Sequence, residues 1–143
     1  MDTAIIIGSD HAGFALKEKL RTYLSSKGYT VEDAGTFSEA SVNYVEYGKK
    51  VAAAVSAGRF AKGILLCGSG LGMSMVANRY AGVRAALCSD LFSATMSRRH
   101  NDANILVLGG RIIGDDLAFA LVDTFLETQF EGGRHLDRIR SMD

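Results

Sequence analysis

The stretch K-G-I-L-L-C-G-S-G-L-G, residues 62–72, decides the fold of this chain. Its first half, residues 62–67, is a short apolar run of the kind that forms a strand buried on both faces of a parallel sheet. Its second half, residues 68–72, has glycine at three of five positions and leads into a helical pattern. A strand that runs through a glycine loop into a helix is typical of α/β proteins.

The alternation of strand and helix extends over the rest of the chain. Four further short apolar runs predict strands at residues 3–8, 30–32, 83–88 and 104–108. Helical spacing of apolar residues predicts helices at residues 14–27, 46–57, 73–80, 90–99, 115–129 and from about 134. Because strands alternate with helices, we expect an α/β fold whose five-stranded parallel sheet is covered on both faces.

Length and composition place residues 1–143 in a single globular domain, since domains have roughly 100–200 residues. Lys and Arg number 16 and Asp and Glu number 16, so no basic excess indicates nucleic acid or an anionic membrane as a partner. Polar residues at 9–11 interrupt the apolar start, and the apolar runs are far shorter than the roughly 20 residues of a membrane span. Two cysteines do not make a disulfide framework, so we expect a cytoplasmic protein.

Polar residues follow three of the predicted strands. Ser9, Asp10 and His11 follow the first strand, the glycine loop follows the third, and Arg111 follows the fifth. Open parallel sheets bind ligands at the carboxyl ends of their strands. The sequence therefore predicts a ligand site at this edge of the sheet.

The glycine loop favours binding of an anion or oxyanion, because glycines let backbone N–H groups approach a negative charge. Its spacing excludes three familiar loops. A dinucleotide loop needs glycine at position 73, a phosphatase loop of the Cys-x5-Arg type needs arginine there, and the chain has Met73. A nucleoside-triphosphate P-loop needs lysine, and lysine does not occur after Lys62. A tight turn without a ligand is the alternative.

Cys67 ends the third predicted strand at the start of this loop. A neighbouring helix N-terminus favours the thiolate form of a cysteine, which suits a base or a nucleophile. Cysteine is also a small hydrophobe that is often buried, and both interpretations stay open. Cys88 ends the fourth strand without such a loop, and we expect it in the core.

The histidines and arginines favour acid–base and phosphate contacts. His11, His100 and His135 have polar neighbours and no metal-ligand spacing among themselves, so we expect no metal. Beyond the third predicted strand every basic side chain other than histidine is an arginine, whose planar fork suits phosphate. Arg134, His135 and Arg138 can share one helix face, which either is solvated or meets a phosphate or a second subunit.

Several motifs occur in an order known from one family, and they span residues 8–138. They are G-S-D-H-A-G-F at 8–14, C-G-S-G-L-G at 67–72 with A-N at 77–78, G-V-R-A at 82–85, S-R-R-H-N-D-A-N at 97–104 and E-G-G-R-H at 131–135. In these motifs the chain resembles the ribose-5-phosphate isomerase B and galactose-6-phosphate isomerase family of sugar-phosphate isomerases. The resemblance implies a Rossmann-like three-layer α/β/α sandwich that needs no metal or organic cofactor. It also implies a homodimer, sometimes a dimer of dimers, with shared active sites and a C-terminal helix at about 134–142 that contacts the partner subunit.

The resemblance further implies a reaction and its residues. An aldose phosphate and its ketose phosphate interconvert through an enediolate, with ribose 5-phosphate and ribulose 5-phosphate as the leading pair. Cys67 would be the base, while Ser69 and the backbone of Gly68, Gly70 and Gly72 would stabilise the oxyanion. The other implied contacts are Asp10 and His100 for ring opening, Tyr44 and Asn101 for the substrate, and His11, Arg111, Arg134, His135 and Arg138 for its phosphate.

One segment departs from the family pattern. The family usually carries Asp-Tyr-Pro where this chain has Asn43-Tyr44-Val45, and proline is absent from the whole sequence. Because the residue before a proline is restricted to extended conformations, we expect Tyr44 to be less constrained here.

Two alternatives to the ribose phosphate reaction remain. The first is the same chemistry on galactose 6-phosphate, allose 6-phosphate or a tetrulose phosphate. The second is a phosphosugar-binding module without catalysis, which Cys67, Asp10 and His100 argue against, because binding alone needs only the phosphate contacts. A thiol phosphatase is disfavoured by Met73.

Overall fold

A computed structural model of the chain describes residues 2–143. Five strands alternate with five helices, and a sixth helix follows at the C-terminal end. The strands are β1 (Ala4–Ser9), β2 (Thr30–Asp33), β3 (Lys62–Cys67), β4 (Ala85–Leu87) and β5 (Ile105–Gly109). The helices are α1 (Phe14–Ser26), α2 (Tyr44–Ser56), α3 (Leu71–Ala77), α4 (Leu91–Arg99), α5 (Asp115–Glu127) and α6 (Arg134–Arg140). Within residues 2–143, no helix has the length and apolar character needed to span a membrane.

All five strands run parallel in one sheet with the order β2-β1-β3-β5-β4. The register places Ser9 of β1 opposite Leu66 of β3, and Cys67 of β3 opposite Gly109 of β5. The chain leaves β1 toward one edge of the sheet, returns to β3 and then builds toward the other edge. The loops after β1 and β3 therefore diverge, and a crevice opens between them at the carboxyl ends of the strands.

Alternate residues of the central strands face two separate apolar cores. Ile7 of β1 and Leu66 of β3 belong to the core that α1, α4 and α5 cover. Leu65 of β3 and Val107 of β5 belong to the core that α2 and α3 cover, where Met73 is fully buried. Because both faces of the sheet are covered, the expected three-layer α/β/α sandwich is confirmed.

The element bounds differ from the predicted ones where local hydrogen bonds start or stop an element. α2 begins at Tyr44 rather than at residue 46, because the side-chain oxygen of Asn43 accepts the N–H of Val45 and caps the helix. β4 is shorter than residues 83–88, since the N–H of Val83 donates to the Tyr80 carbonyl in a turn. α3 covers Leu71–Ala77, so it starts and ends earlier than the helix predicted at residues 73–80.

A fully buried lysine ties α1 to the loop that leaves β2. Lys17 Nζ lies 2.6 Å from Asp33 Oδ2, and the Asp33 side chain is only 10% exposed. The other carboxylate oxygen of Asp33 accepts the N–H of Gly35 at 2.9 Å. Because a buried charge is tolerated when it is paired, Asp33 both neutralises Lys17 and holds the start of this loop.

Removal of Asp33 leaves the buried Lys17 ammonium with only the longer contact to Glu18 Oε1, at 3.4 Å. Asp33→Ala is expected to lower the free energy of unfolding by about 3–5 kcal/mol, as for other broken buried ion pairs. The Lys19–Asp115 pair has side chains 55% and 47% exposed and provides the control. Lys19→Ala should cost no more than about 1 kcal/mol. Urea denaturation measures both variants, and equal losses would contradict the role assigned to the buried pair.

Candidate active site

The loops after β1, β3 and β5 come together at the carboxyl edge of the sheet, as predicted. The N–H of Asp10 donates to a carbonyl oxygen of β3 at 3.2 Å. The N–H of Gly110 donates to the Cys67 carbonyl at 2.8 Å, and that of Arg111 to the Gly68 carbonyl at 3.0 Å. Backbone hydrogen bonds thus hold the three loops in place relative to one another.

Glycine is required where these loops touch. A Cβ at Gly13 would lie 2.7 Å from the Cβ of Leu66, and a Cβ at Gly110 would lie 2.9 Å from the carbonyl oxygen of Ala12. Both distances are well inside the favourable range for contact between heavy atoms. A side chain at either glycine would therefore push the loops apart.

Cys67 lies between the core and this edge of the sheet. Its side chain is buried, and Sγ accepts the N–H of Gly70 at 3.2 Å. Gly70 has a left-handed conformation with φ of +83°, which lets the loop turn back over the sulfur. The sulfur therefore faces a backbone N–H donor at the start of the glycine loop, where the acid–base interpretation places the base.

The positively charged side chain of Arg111 lies beside the exposed part of the glycine loop. Ser69 is exposed, and its Oγ accepts the N–H of Leu71 at 3.2 Å. A Cβ at Gly68 would lie 3.5 Å from Cδ and 3.6 Å from Nη1 of Arg111. The guanidinium of Arg111 therefore faces the loop and adds positive charge where an anionic ligand is predicted.

Asp10 and His11 are held by backbone N–H donors. Asp10 is 7% exposed, and its Oδ1 accepts the N–H of Gly13 at 3.1 Å. His11 Nδ1 accepts the N–H of Val42 at 3.1 Å. A neutral imidazole that accepts at Nδ1 carries its proton on Nε2, so Nε2 is the donor of His11.

Tyr44 packs on the glycine loop. A Cβ at Gly72 would lie 2.5 Å from Cε2 and 3.0 Å from the hydroxyl oxygen of Tyr44, so the ring covers this glycine. Tyr44 is also the first residue of α2, directly after the Asn43 cap, whose Oδ1 accepts the N–H of Val45 at 3.1 Å. The helix cap fixes the backbone of this segment, and the expectation that Val45 leaves Tyr44 less constrained than a proline would stays a prediction.

The remaining predicted site residues form a second group at the end of α4 and the start of α6. The rings of His100 and His135 stack with centroids 4.1 Å apart. Asn101 follows His100 in the turn after α4, and Arg134 and Arg138 are exposed residues of α6. Within residues 2–143, no hydrogen bond, ion pair or ring contact joins this group to the glycine loop. One chain therefore holds the predicted site residues in two places.

Glu131 joins this second group, and sequence reasoning did not select it individually. Its Oε1 lies 3.7 Å from His100 Nε2 and 3.6 Å from His135 Nε2. Burial lowers the pKa of His135 below its ordinary value of 6.5, and repulsion from His100 and Arg134 lowers it further. The signal in the sequence is the spacing of Glu131 and His135, which are four residues apart.

Two further arginines, also missed, hold the turn that carries His100. The guanidinium of Arg98 is buried and donates to the Asp102 carboxylate at 2.8 Å. Arg84 donates to the carbonyl oxygens of Asn101 and Asp102, both at 2.9 Å. These bonds hold Asp102 at a φ of +45°, a conformation that residues other than glycine seldom adopt.

Exposed apolar side chains border the glycine loop. Leu71 and Met75, one turn apart on α3, are 54% and 65% exposed, and Ile112 after β5 is 64% exposed. Leu87 is also exposed, and its Cδ1 lies 2.5 Å from where a Cβ of Gly70 would stand. Exposed apolar patches are found at protein contacts, at membrane contacts and at ligand-binding grooves.

The fold and this edge define a Rossmann-like α/β protein with a thiol, a carboxylate and an imidazole around a glycine loop, a set suited to acid–base chemistry on a small anionic molecule. The family model described as Ribose/Galactose Isomerase matches residues 5–142. The chain belongs to this family, and the resemblance noted in the sequence is confirmed.

Individual relatives are similar over nearly the whole chain. Ribose-5-phosphate isomerase B of Escherichia coli K12 is 45% identical over 138 residues, which cover 96% of this chain and 93% of that protein. The crystal structure of a ribose 5-phosphate isomerase from Thermotoga maritima matches with a TM-score of 0.97 and 57% identity, covering 100% of this chain and 99% of the other. A 4-deoxy-4-sulfo-D-erythrose isomerase of Clostridium sp. strain MSTE9 is 43% identical over 127 residues, 88% of this chain and 80% of that protein.

Cys88 contrasts with Cys67. It packs in the core under α1, α4 and α5, as predicted. Burial, and to a smaller extent the charge of Asp90, raise the pKa of its thiol to about 11. At neutral or mildly alkaline pH Cys88 is therefore a thiol without reactive thiolate.

Alkylation should distinguish the two cysteines. Iodoacetamide at mildly alkaline pH is expected to modify Cys67 in the folded protein and to modify Cys88 only after unfolding in urea, because the thiolate is the nucleophile. Mass spectrometry of the peptides measures both sites. Cys67→Ala should abolish modification of the folded protein, whereas earlier modification of Cys88 would contradict the assignment.

Proposed function

We propose that this protein is an aldose–ketose isomerase that interconverts ribose 5-phosphate and ribulose 5-phosphate. The observation that carries the proposal is the Gly70 N–H directed at Cys67 Sγ, at the sheet edge that also holds Asp10 and Arg111. Membership of the ribose/galactose isomerase family and the similarity to ribose 5-phosphate isomerases support it. The two free cysteines fit a reducing compartment, and we place the protein in the cytoplasm.

The reaction moves a proton between neighbouring carbons. The Cys67 thiolate removes the proton from C2 of the open-chain aldose, the C–H electron pair forms the C1–C2 double bond, and the carbonyl electrons pass to O1. The Ser69 hydroxyl and backbone N–H groups of residues 68–72 stabilise the negative charge on O1. The thiol then returns the proton to C1, and the proton of the C2 hydroxyl passes to O1. The step is redox-neutral within one substrate and requires no external oxidant, reductant or cofactor.

Ring opening comes first, because ribose 5-phosphate is largely a closed furanose. One acid–base group accepts the proton of the anomeric hydroxyl, and another donates a proton to the ring oxygen. Asp10 and His100 are the proposed pair, with Tyr44 and Asn101 in contact with the sugar. Asp10 lies at the glycine loop and His100 in the second group, so this pair needs residues that one chain keeps apart.

We therefore propose a homodimer in which each site combines the glycine loop of one chain with the second group of the other. The exposed apolar residues beside the loop favour such a contact, as does the separation of the two groups within one chain. In this arrangement α6 contacts the partner. The phosphate is bound by His11 and Arg111 of one subunit. It is also bound by Arg134, His135 and Arg138, partly from the other subunit.

A different sugar is the second candidate. The similarity to a 4-deoxy-4-sulfo-D-erythrose isomerase favours it, since a four-carbon sugar is named there. Comparison of kcat/KM for pentose, hexose and tetrose phosphates decides between the candidates. The highest value for ribose 5-phosphate is the expected result, and a higher value for another sugar would replace the assigned substrate.

Replacement of the proposed base tests the chemistry. Cys67→Ala is expected to lower kcat by about 10²–10⁴-fold, the usual contribution of general acid–base catalysis, with the circular dichroism spectrum unchanged. Cys88→Ala is the matched control and should keep kcat near the unmodified value, because Cys88 lies in the core. Turnover of Cys67→Ala close to that of the control would contradict the assignment.

Mixing two inactive variants tests the shared site. Cys67→Ala and His100→Ala should each be inactive alone, whereas co-refolding of equal amounts should restore about a quarter of the original activity if subunits pair at random in a twofold dimer. Half of the dimers are then mixed, and each mixed dimer has one intact site of two. No recovery, with mixed dimers demonstrated by mass spectrometry, would place both residues in one chain's site.

A further inference from the structure

A cluster of three metal-ligating side chains lies away from the glycine loop. His100, Glu131 and His135 each offer a ligand atom, and these atoms all lie within 4.8 Å of one another. Both Nε2 atoms face the same carboxylate oxygen, at 3.7 Å for His100 and 3.6 Å for His135. We refer to these three residues as the His–Glu–His cluster.

The two nitrogen–oxygen separations are closer to those around a small cation than to direct hydrogen bonds. At 3.6 and 3.7 Å the imidazole nitrogens are too far from the carboxylate oxygen for a hydrogen bond. A tetrahedral ion with bonds of about 2.0–2.2 Å separates its ligand atoms by about 3.4 Å. The two nitrogen–oxygen distances therefore need to close by only a few tenths of an ångström.

The backbone positions of two of the ligands, Glu131 and His135, are fixed by the fold, whereas the third ligand, His100, has a partly exposed side chain. The N–H of Glu131 donates to the Arg99 carbonyl at 3.0 Å, which fixes Glu131 next to the end of α4. His135 is buried in the first turn of α6. The His100 side chain is 41% exposed, and rotation of its ring out of the stack on His135 would bring its nitrogen toward a shared ion.

We propose that the His–Glu–His cluster binds a divalent transition metal, with Zn²⁺ as the reference ion and water in the fourth position. Two imidazoles and one carboxylate favour zinc, nickel or copper over magnesium or calcium. The ion is an inhibitor rather than a cofactor, because it occupies nitrogens of His100 and His135 that the proposed reaction uses. Binding of the metal itself does not depend on the proposed function.

The surrounding charges limit the affinity. Arg99 Nε lies 3.9 Å from Glu131 Oε2, and Arg134 and Arg138 flank His135 on α6. These cations oppose a second positive charge, so we expect micromolar rather than nanomolar binding. A phosphorylated sugar, drawn to the same arginines, should compete with the metal.

Calorimetry with ZnCl₂ tests the site on the whole chain of 143 residues. Glu131→Gln should weaken Zn²⁺ binding by at least about tenfold, as the loss of one ligand implies. Asp137→Asn is the matched control, since it removes the same charge from an exposed position on α6 and should leave binding unchanged. Equal binding by the unmodified protein and Glu131→Gln would overturn the proposal, because the ion would then sit elsewhere, for example at Cys67.

Two further measurements have independent readouts. Co²⁺ should give the visible absorption of a four-coordinate site in the unmodified protein and in Asp137→Asn, and this signal should be lost in Glu131→Gln. Where isomerase activity is present, Zn²⁺ should inhibit the unmodified protein reversibly, with release by EDTA, and Glu131→Gln should need at least about tenfold more metal. Absence of the cobalt spectrum from the unmodified protein, or equal inhibition of both proteins, would refute the site.

Discussion

Close contact of backbone with backbone, among the loops after β1, β3 and β5, is the constraint on which the rest of the site depends. Gly13 lies against Leu66, and Gly110 lies against Ala12, at distances that leave no room for a Cβ. The hydrogen bond from Gly110 to the Cys67 carbonyl continues the pairing of β3 with β5 beyond the strand ends. The position of Cys67 is therefore set by the register of the sheet and not by a flexible loop.

This constraint also explains why two cysteines at strand ends differ in their surroundings. Cys67 lies where the glycine loop turns back, so the Gly70 N–H points at its sulfur. Cys88 follows the edge strand β4, has no such loop, and is enclosed by the core under α1, α4 and α5. Both thiols are buried, so burial alone does not distinguish them. What distinguishes the two cysteines is the Gly70 N–H group, which points at the sulfur of Cys67. That direction follows from the left-handed conformation of Gly70.

The strands, the helices and the carboxyl-edge site could be predicted because apolar periodicity and glycine loops are local properties of the sequence. Features that arise between distant segments could not. The pair Lys17–Asp33 joins a helix to a strand 16 residues away, and nothing in the helical pattern marks Lys17 as buried. The spacing of Glu131 and His135 marks that pair, but the approach of Glu131 to His100 arises only where the segment before α6 meets the end of α4. The separation of His100 from the glycine loop is likewise a tertiary property, although the family resemblance implied shared sites.

The Asn43-Tyr44-Val45 segment, which departs from the expected family pattern, forms the cap at the start of α2. Proline at position 45 would have no N–H, whereas Val45 has one and donates it to Asn43 Oδ1 at 3.1 Å. The two residues that differ from Asp-Tyr-Pro therefore act together, as cap and donor, at the start of α2. Tyr44 lies between them and covers Gly72, and the cap holds it as the first residue of α2. The N–H of Val45, which a proline would lack, is therefore the donor that closes this cap.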